Sequence, residues 1–111
     1  MSYRIEKLNS LIKEELAKII EREIEFSRDV LVTVTKVETS IDTTHARAWI
    51  SVLPENKSSE VLKKLQRTIG VMQGLLNKKL IMRYVPKISF KIDKTAAKID
   101  KFEKIAKEIE S

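Results

Sequence analysis

Apolar residues recur at helical spacing, then alternate, then return to helical spacing. That change of period limits the folds open to this 111-residue chain. Ile5, Leu8, Ile12, Leu16, Ile19 and Ile20, with Leu11 and Ala17 beside them, are three and four apart. They predict an amphipathic helix running to about Glu25, with Ser2 as N-cap. Glu14, Glu15, Lys18 and Arg22 fall on its wet side, and "EFSRDV" reads as a loop. "LVTVTKVETS" then has the β-branched composition of a strand. Val32 and Val34 alternate but the next apolar residue is Val37, so a bulge is expected near Thr35–Lys36. "IDTTH" supplies Asp42 and two threonines for a turn. In "ARAWISV", Ala46, Ala48, Ile50 and Val52 share one face and Arg47, Trp49 and Ser51 the other. Pro54 ends this strand, and the two strands should pair as an antiparallel hairpin.

"NKSSEVLKKLQRTIGVMQGLLNKKLIM" returns to helical spacing, with Asn56, Ser58 or Ser59 placed to cap it. Val61, Leu62, Leu65, Ile69, Met72, Leu75, Leu76 and Leu80 form its apolar stripe. Both glycines of the chain, Gly70 and Gly74, lie inside this region, where each costs about 1 kcal/mol relative to Ala. A membrane helix-packing role is excluded by Arg67, Gln73, Lys78 and Lys79 close by. Two readings remain: close approach of another backbone, or a break between two shorter helices. Pro86 opens a third strand, "KISFKID", with Ile88, Phe90 and Ile92 on one side and Lys87, Ser89, Lys91 and Asp93 on the other. A helical crossover between strands of one sheet favours a parallel, right-handed connection. Ile99, Phe102, Ile105, Ala106 and Ile109 then mark a C-terminal helix over 95–111, which either docks on the body or is mobile. The expectation is one α+β domain over 1–111, with helices on one face of a three-stranded sheet.

Charge is unevenly placed. The whole chain carries +6, but residues 57–101 hold 12 Lys and Arg against only Glu60, Asp93 and Asp100. A basic half on a near-neutral partner is the footprint of a polyanion binder. The cations fall in groups: Lys63, Lys64 and Arg67; Lys78, Lys79 and Arg83; Lys87 and Lys91. Their continuity suggests a binding stripe, with Arg67, Lys78, Lys79, Arg83 and Lys87 as the main phosphate contacts and Lys63, Lys64 and Lys91 as weaker ones. Trp49 beside Arg47 either stacks on a base or is covered by the C-terminal apolar stripe. Catalysis is disfavoured, because His45 is the sole histidine and sits in a turn, Cys is absent, and no Gly-rich phosphate loop exists. No cofactor, metal, small-molecule substrate or membrane span is expected, and the lack of Cys fits a reducing, cytoplasmic setting.

The chain from Arg4 to about Ile105 resembles the ribosome-binding factor A family of bacteria and organelles. "TIGVMQGLLNKKLIMRYVPKISFKID" is similar to that family's Ala-x-Gly, basic helix, Arg-x-x-Pro element and strand ending in Asp, with Arg83, Pro86, Phe90 and Asp93 matching. "VTVTKVETSIDTTHARAWISV" resembles its paired strands through Val37, Ser40, Asp42, Ala46 and Ser51, and "RIEKLNSLIKEELAKIIEREI" its first helix. The resemblance implies a type-II KH-like fold of order α-β-β-α-(kink)-α-β plus a C-terminal helix. A helix kink at Thr68-Ile69-Gly70 would stand in for the nucleotide-clamping loop. Thr68 stands where the family usually has Ala, and Gln73 where it often has Arg. The resemblance also implies a non-catalytic factor, monomeric when free, that binds the small ribosomal subunit and its rRNA. Its work would be subunit maturation, 5′-end processing of the rRNA and growth in the cold. The competing reading is a protein-interaction or dimerisation module whose basic charge serves solubility.

Overall fold

The computed structural model describes residues 2–95, with side chains from Arg4 onward. Its elements are α1 (Ser2–Glu23), β1 (Leu31–Thr39), β2 (His45–Leu53), a 3-10 turn (Glu55–Lys57), α2 (Ser58–Lys79) and β3 (Lys87–Ile92). The expected C-terminal helix falls almost wholly outside the described residues, and the Ser2 cap rests on a side chain outside the described ones.

β1 and β2 pair antiparallel, and the register slips between Val34 and Lys36, as the spacing of Val34 and Val37 predicts. β3 lies parallel to β2, so the strand order is β1-β2-β3 with α2 as the crossover. α1 packs on β1, α2 on β3 and β2, and the two helices touch each other. Alternation turns Val34, Val37, Ala46, Ala48, Ile50, Val52, Ile88 and Phe90 toward the helices. Leu8, Ile12, Leu16, Ile19 and Ile20 meet them from α1, and Val61, Leu65, Met72 and Leu76 from α2. The opposite face of the sheet has no described layer over it. The result is the expected α+β arrangement, two helices on one face of a three-stranded mixed sheet.

Two local expectations change. α2 is a single helix of 22 residues, so the segments foreseen on either side of Gly70 form one element. A glycine's cost is small beside the burial of Val61 and Leu65 before it and Met72 and Leu76 after it. None of Asn56, Ser58 or Ser59 caps the helix through its side chain: the N-cap position is Lys57. Lys57 N–H donates to Pro54 O at 3.0 Å, so the 3-10 turn leads directly into the first helical turn.

Candidate nucleic-acid interface

With Val61, Leu65, Met72 and Leu76 facing the core, helical geometry turns Lys63, Arg67, Gly70, Gly74 and Lys78 outward on one exposed line. Val71 adds an apolar spot, 60% exposed. A Cβ built on Gly70 or Gly74 would meet nothing within 4 Å, so no described part of the molecule needs bare backbone there. Thr68 Oγ1 lies 2.9 Å from Lys64 O and 3.2 Å from Leu65 O, a back-bonded hydroxyl of the kind that bends helices slightly.

Lys64 has separate work. Its ammonium donates to the carbonyl of Glu25 and stands 5.5 Å from the centre of the Phe26 ring, tying α2 to the segment after α1. Lys63, Arg67, Lys78, Lys79 and Arg83 form no ion pair among the described residues.

Lys78 and Lys79 occupy the last turn of α2, where cations also complement the negative end of the helix dipole. The loop that follows is the most exposed apolar stretch described: Ile81 is fully exposed and Tyr84 is 74% exposed. The Arg83 guanidinium lies 5.5 Å from the centre of the Tyr84 ring. Pro86, fully buried, then leads into β3. Tyr84 belongs with these cations, and the sequence reading passed over it. Its signal was an aromatic next to Arg83 in a segment without helical or alternating period.

The cations do not make one stripe. Ile88 and Phe90 point under α2, so Lys87, Ser89 and Lys91 stand on the opposite face of the sheet. They share that face with Arg47 and Trp49 of β2. Arg67, Lys78, Lys79 and Arg83 are therefore grouped along α2 and its following loop, and Lys87 and Lys91 are set apart from them by the sheet.

Gln73 performs a structural task that its place on the helix disguised. Its Oε1 accepts the N–H of Ile88 at 2.9 Å, and its Nε2 donates to Pro86 O at 3.1 Å and to Asn77 Oδ1 at 3.0 Å. The lone histidine, His45, is exposed at the start of β2, with Nδ1 2.9 Å from Thr44 Oγ1. Among the described residues, no group of three or more His, Asp or Glu could hold a metal ion, and no helix is long and apolar enough to cross a membrane.

The profile of the ribosome-binding factor A family matches residues 4–106. The ribosome-binding factor A of Akkermansia muciniphila is 32% identical over 96 residues, spanning 86% of this chain and 76% of that protein. That of Prochlorococcus marinus is 38% identical over 100 residues, spanning 87% and 81%. The crystal structure of ribosome-binding factor A from Thermus thermophilus superposes with a TM-score of 0.68 at 25% identity, over 79% of this chain and 93% of that one. The Thermus thermophilus factor as fitted into a cryo-EM map of a 30S complex matches with the same TM-score and identity, over 78% of this chain and 92% of that one. With nearly its whole length matched, and with the paired strands and crossover helix in the expected places, this chain belongs to the ribosome-binding factor A family.

Proposed function

We propose that this protein is a non-catalytic, RNA-binding assembly factor of the small ribosomal subunit. Family membership supports the reading, as does the fit of a relative into a 30S complex. The observation that carries it is the set of cations without ion-pair partners along α2 and its following loop: Arg67, Lys78, Lys79 and Arg83, with Tyr84 beside them. Such groups neutralise phosphates and position a domain on RNA by shape. Binding one rRNA conformation better than its alternatives would then shift the immature subunit toward that conformation. A bend at Thr68-Ile69-Gly70 belongs to this reading, setting how the two halves of α2 meet the RNA. The cellular role is maturation and 5′-end processing of the rRNA, with greatest need in the cold. The protein acts in the cytoplasm and is monomeric when free.

The direct test is cosedimentation of the full chain with small subunits. Lys78→Glu with Lys79→Glu should abolish binding while leaving the circular dichroism spectrum unchanged. Undiminished cosedimentation would count against the reading, and salt-insensitive self-association in its place would favour a protein-interaction module. Cells lacking the protein should accumulate small-subunit rRNA with unprocessed 5′ ends, most at low temperature.

A further inference from the structure

The face of the sheet left uncovered by the described residues carries a second cationic group, built around the chain's single tryptophan. Trp49 sits in register between Lys36 of β1 and Lys91 of β3, and two residues back along β2 Arg47 pairs with Ser89. The indole N–H donates to Glu38 Oε1 at 2.7 Å, which fixes the ring across the hairpin. The Arg47 guanidinium stands 5.8 Å from the ring centre. His45 and Lys87 complete the same side one further step along.

The charges on this face are one-sided. Its two carboxylates are both occupied: Glu38 takes the indole N–H and the Lys36 ammonium, at 3.3 Å, and Asp93 takes Thr35 and the N–H of Thr95. Arg47, Lys87 and Lys91 make no ion pair among the described residues. Glu38 lies in register opposite Arg47 and offsets part of its charge, yet Lys36, Arg47, Lys87 and Lys91 outnumber the two carboxylates. A half-buried aromatic whose orientation is fixed, flanked by such an excess of cations, is the arrangement on which unpaired bases stack while phosphates meet Lys and Arg. A protein partner is a poorer fit at this end of the sheet, where the neighbours of Trp49 are Lys36, Arg47 and Lys91 rather than apolar residues.

We infer that this face is a second RNA contact, in which an unpaired nucleotide stacks on Trp49 with its flanking phosphates on Arg47, Lys87 and Lys91. The inference rests on the RNA-binding reading and adds to it: α2 and the sheet would grip separate RNA segments on opposite sides of one domain. Because Trp49 is the only tryptophan, its emission reports on this face alone.

The test uses the full chain, a single-stranded uridine-rich heptamer, a duplex of equal length, and a small-subunit rRNA fragment. Binding of the dye-labelled fragment is followed by anisotropy, and Trp49 emission is followed separately with unlabelled RNA. Emission should fall by half or more with the heptamer and with the rRNA fragment, but little with the duplex. For the fragment, its midpoint should match that from anisotropy. Arg47→Ser with Lys91→Ala, both at exposed positions, should weaken heptamer binding about tenfold. Binding seen by anisotropy with Trp49 emission unchanged would overturn the inference and leave the α2 contact standing; a sheet face covered by residues 96–111 gives that result. Failure of the fragment and of whole small subunits to bind at all would overturn both readings.

Discussion

Gln73 Oε1 accepts the backbone N–H of Ile88 at 2.9 Å, and this bond joins α2 to the start of β3. The same amide donates to Pro86 O, so one side chain reads two backbone groups just where the crossover connection enters the sheet. Neither group has a ladder partner on that side, because β3 is an edge strand. Gln is suited to the task since its amide accepts and donates at once, whereas an Arg has no acceptor to offer Ile88. Gln73→Arg or Gln73→Ala should therefore destabilise the fold by about 1–2 kcal/mol, the usual cost of leaving partly buried groups unpaired. Gln73→Glu keeps the acceptor and should lose less. Urea denaturation of the three variants gives the order.

Thr35 Oγ1 donates to Asp93 Oδ2 at 2.7 Å, linking the bulge of β1 to the end of β3 across 58 residues of sequence. That bond, with the N–H and hydroxyl of Thr95, holds the Asp93 carboxyl below its ordinary value of 3.8. A carboxylate with a depressed folded-state pKa contributes stability above its unfolded value, and loses it as pH falls through the folded one. Thr35→Val, nearly isosteric, should cost about 1 kcal/mol at neutral pH. The gap between variant and parent should close as pH falls below about 3.8. Thermal melts across the acid range would show whether it does.

Asp42 organises the hairpin turn. Its Oδ1 accepts from Ser40 Oγ at 2.7 Å, from Thr44 Oγ1 at 2.8 Å and from Thr44 N–H at 3.1 Å, while Thr43 takes a left-handed φ of 58°. These donors lower the Asp42 pKa to about 2. The turn's contribution is thus intact above pH 3.8 and lost only as pH approaches about 2. The side-chain carboxyl shift followed by NMR should titrate near that value. Asp42→Asn should remove the titration from the Ser40 and Thr44 amides.

Much of this arrangement was legible in the residues, and the parts that were not share a cause. Val34 followed by Val37 announced the bulge, because a period of two tolerates no silent insertion. The outward set Lys87, Ser89 and Lys91 was equally plain. What sequence order concealed is that outward on β3 means away from α2, so cations contiguous in the chain part company across the sheet. Caps were misplaced because Asn56, Ser58 and Ser59 all suit an N-cap, while a 3-10 turn began the winding earlier and left both serines inside α2. Gln73 was hidden by looking solvent-facing between Gly70 and Gly74, although it lies four residues after Ile69 and three before Leu76, on the flank of the buried stripe.

Gly70 and Gly74 both have negative φ and open space where a Cβ would go. Nothing in the described fold opposes a methyl at either place, so Gly70→Ala and Gly74→Ala should each stabilise the protein by about 0.5–1 kcal/mol. The thermal midpoint should rise for each and roughly additively for both, since neither methyl contacts the other's surroundings. A bend at Thr68-Ile69-Gly70 would then rest on the back-bonded Thr68 hydroxyl, whereas a loss of stability at Gly70 would mean that the bend needs glycine itself.

If Lys78 and Lys79 each neutralise one phosphate, their joint removal has a quantitative signature. The logarithm of RNA affinity falls with the logarithm of salt concentration at a slope set by the number of phosphates neutralised, about 0.7 per contact on single strands and 0.9 on duplex. Lys78→Ala with Lys79→Ala should lower that slope by roughly 1.4 to 1.8. Lys64→Ala should leave the slope unchanged yet cost stability, because its ammonium is engaged by Glu25 O and the Phe26 ring. Titrations at three salt concentrations separate the two cases: a cation on RNA alters the slope, and a cation on its own protein alters only the melt.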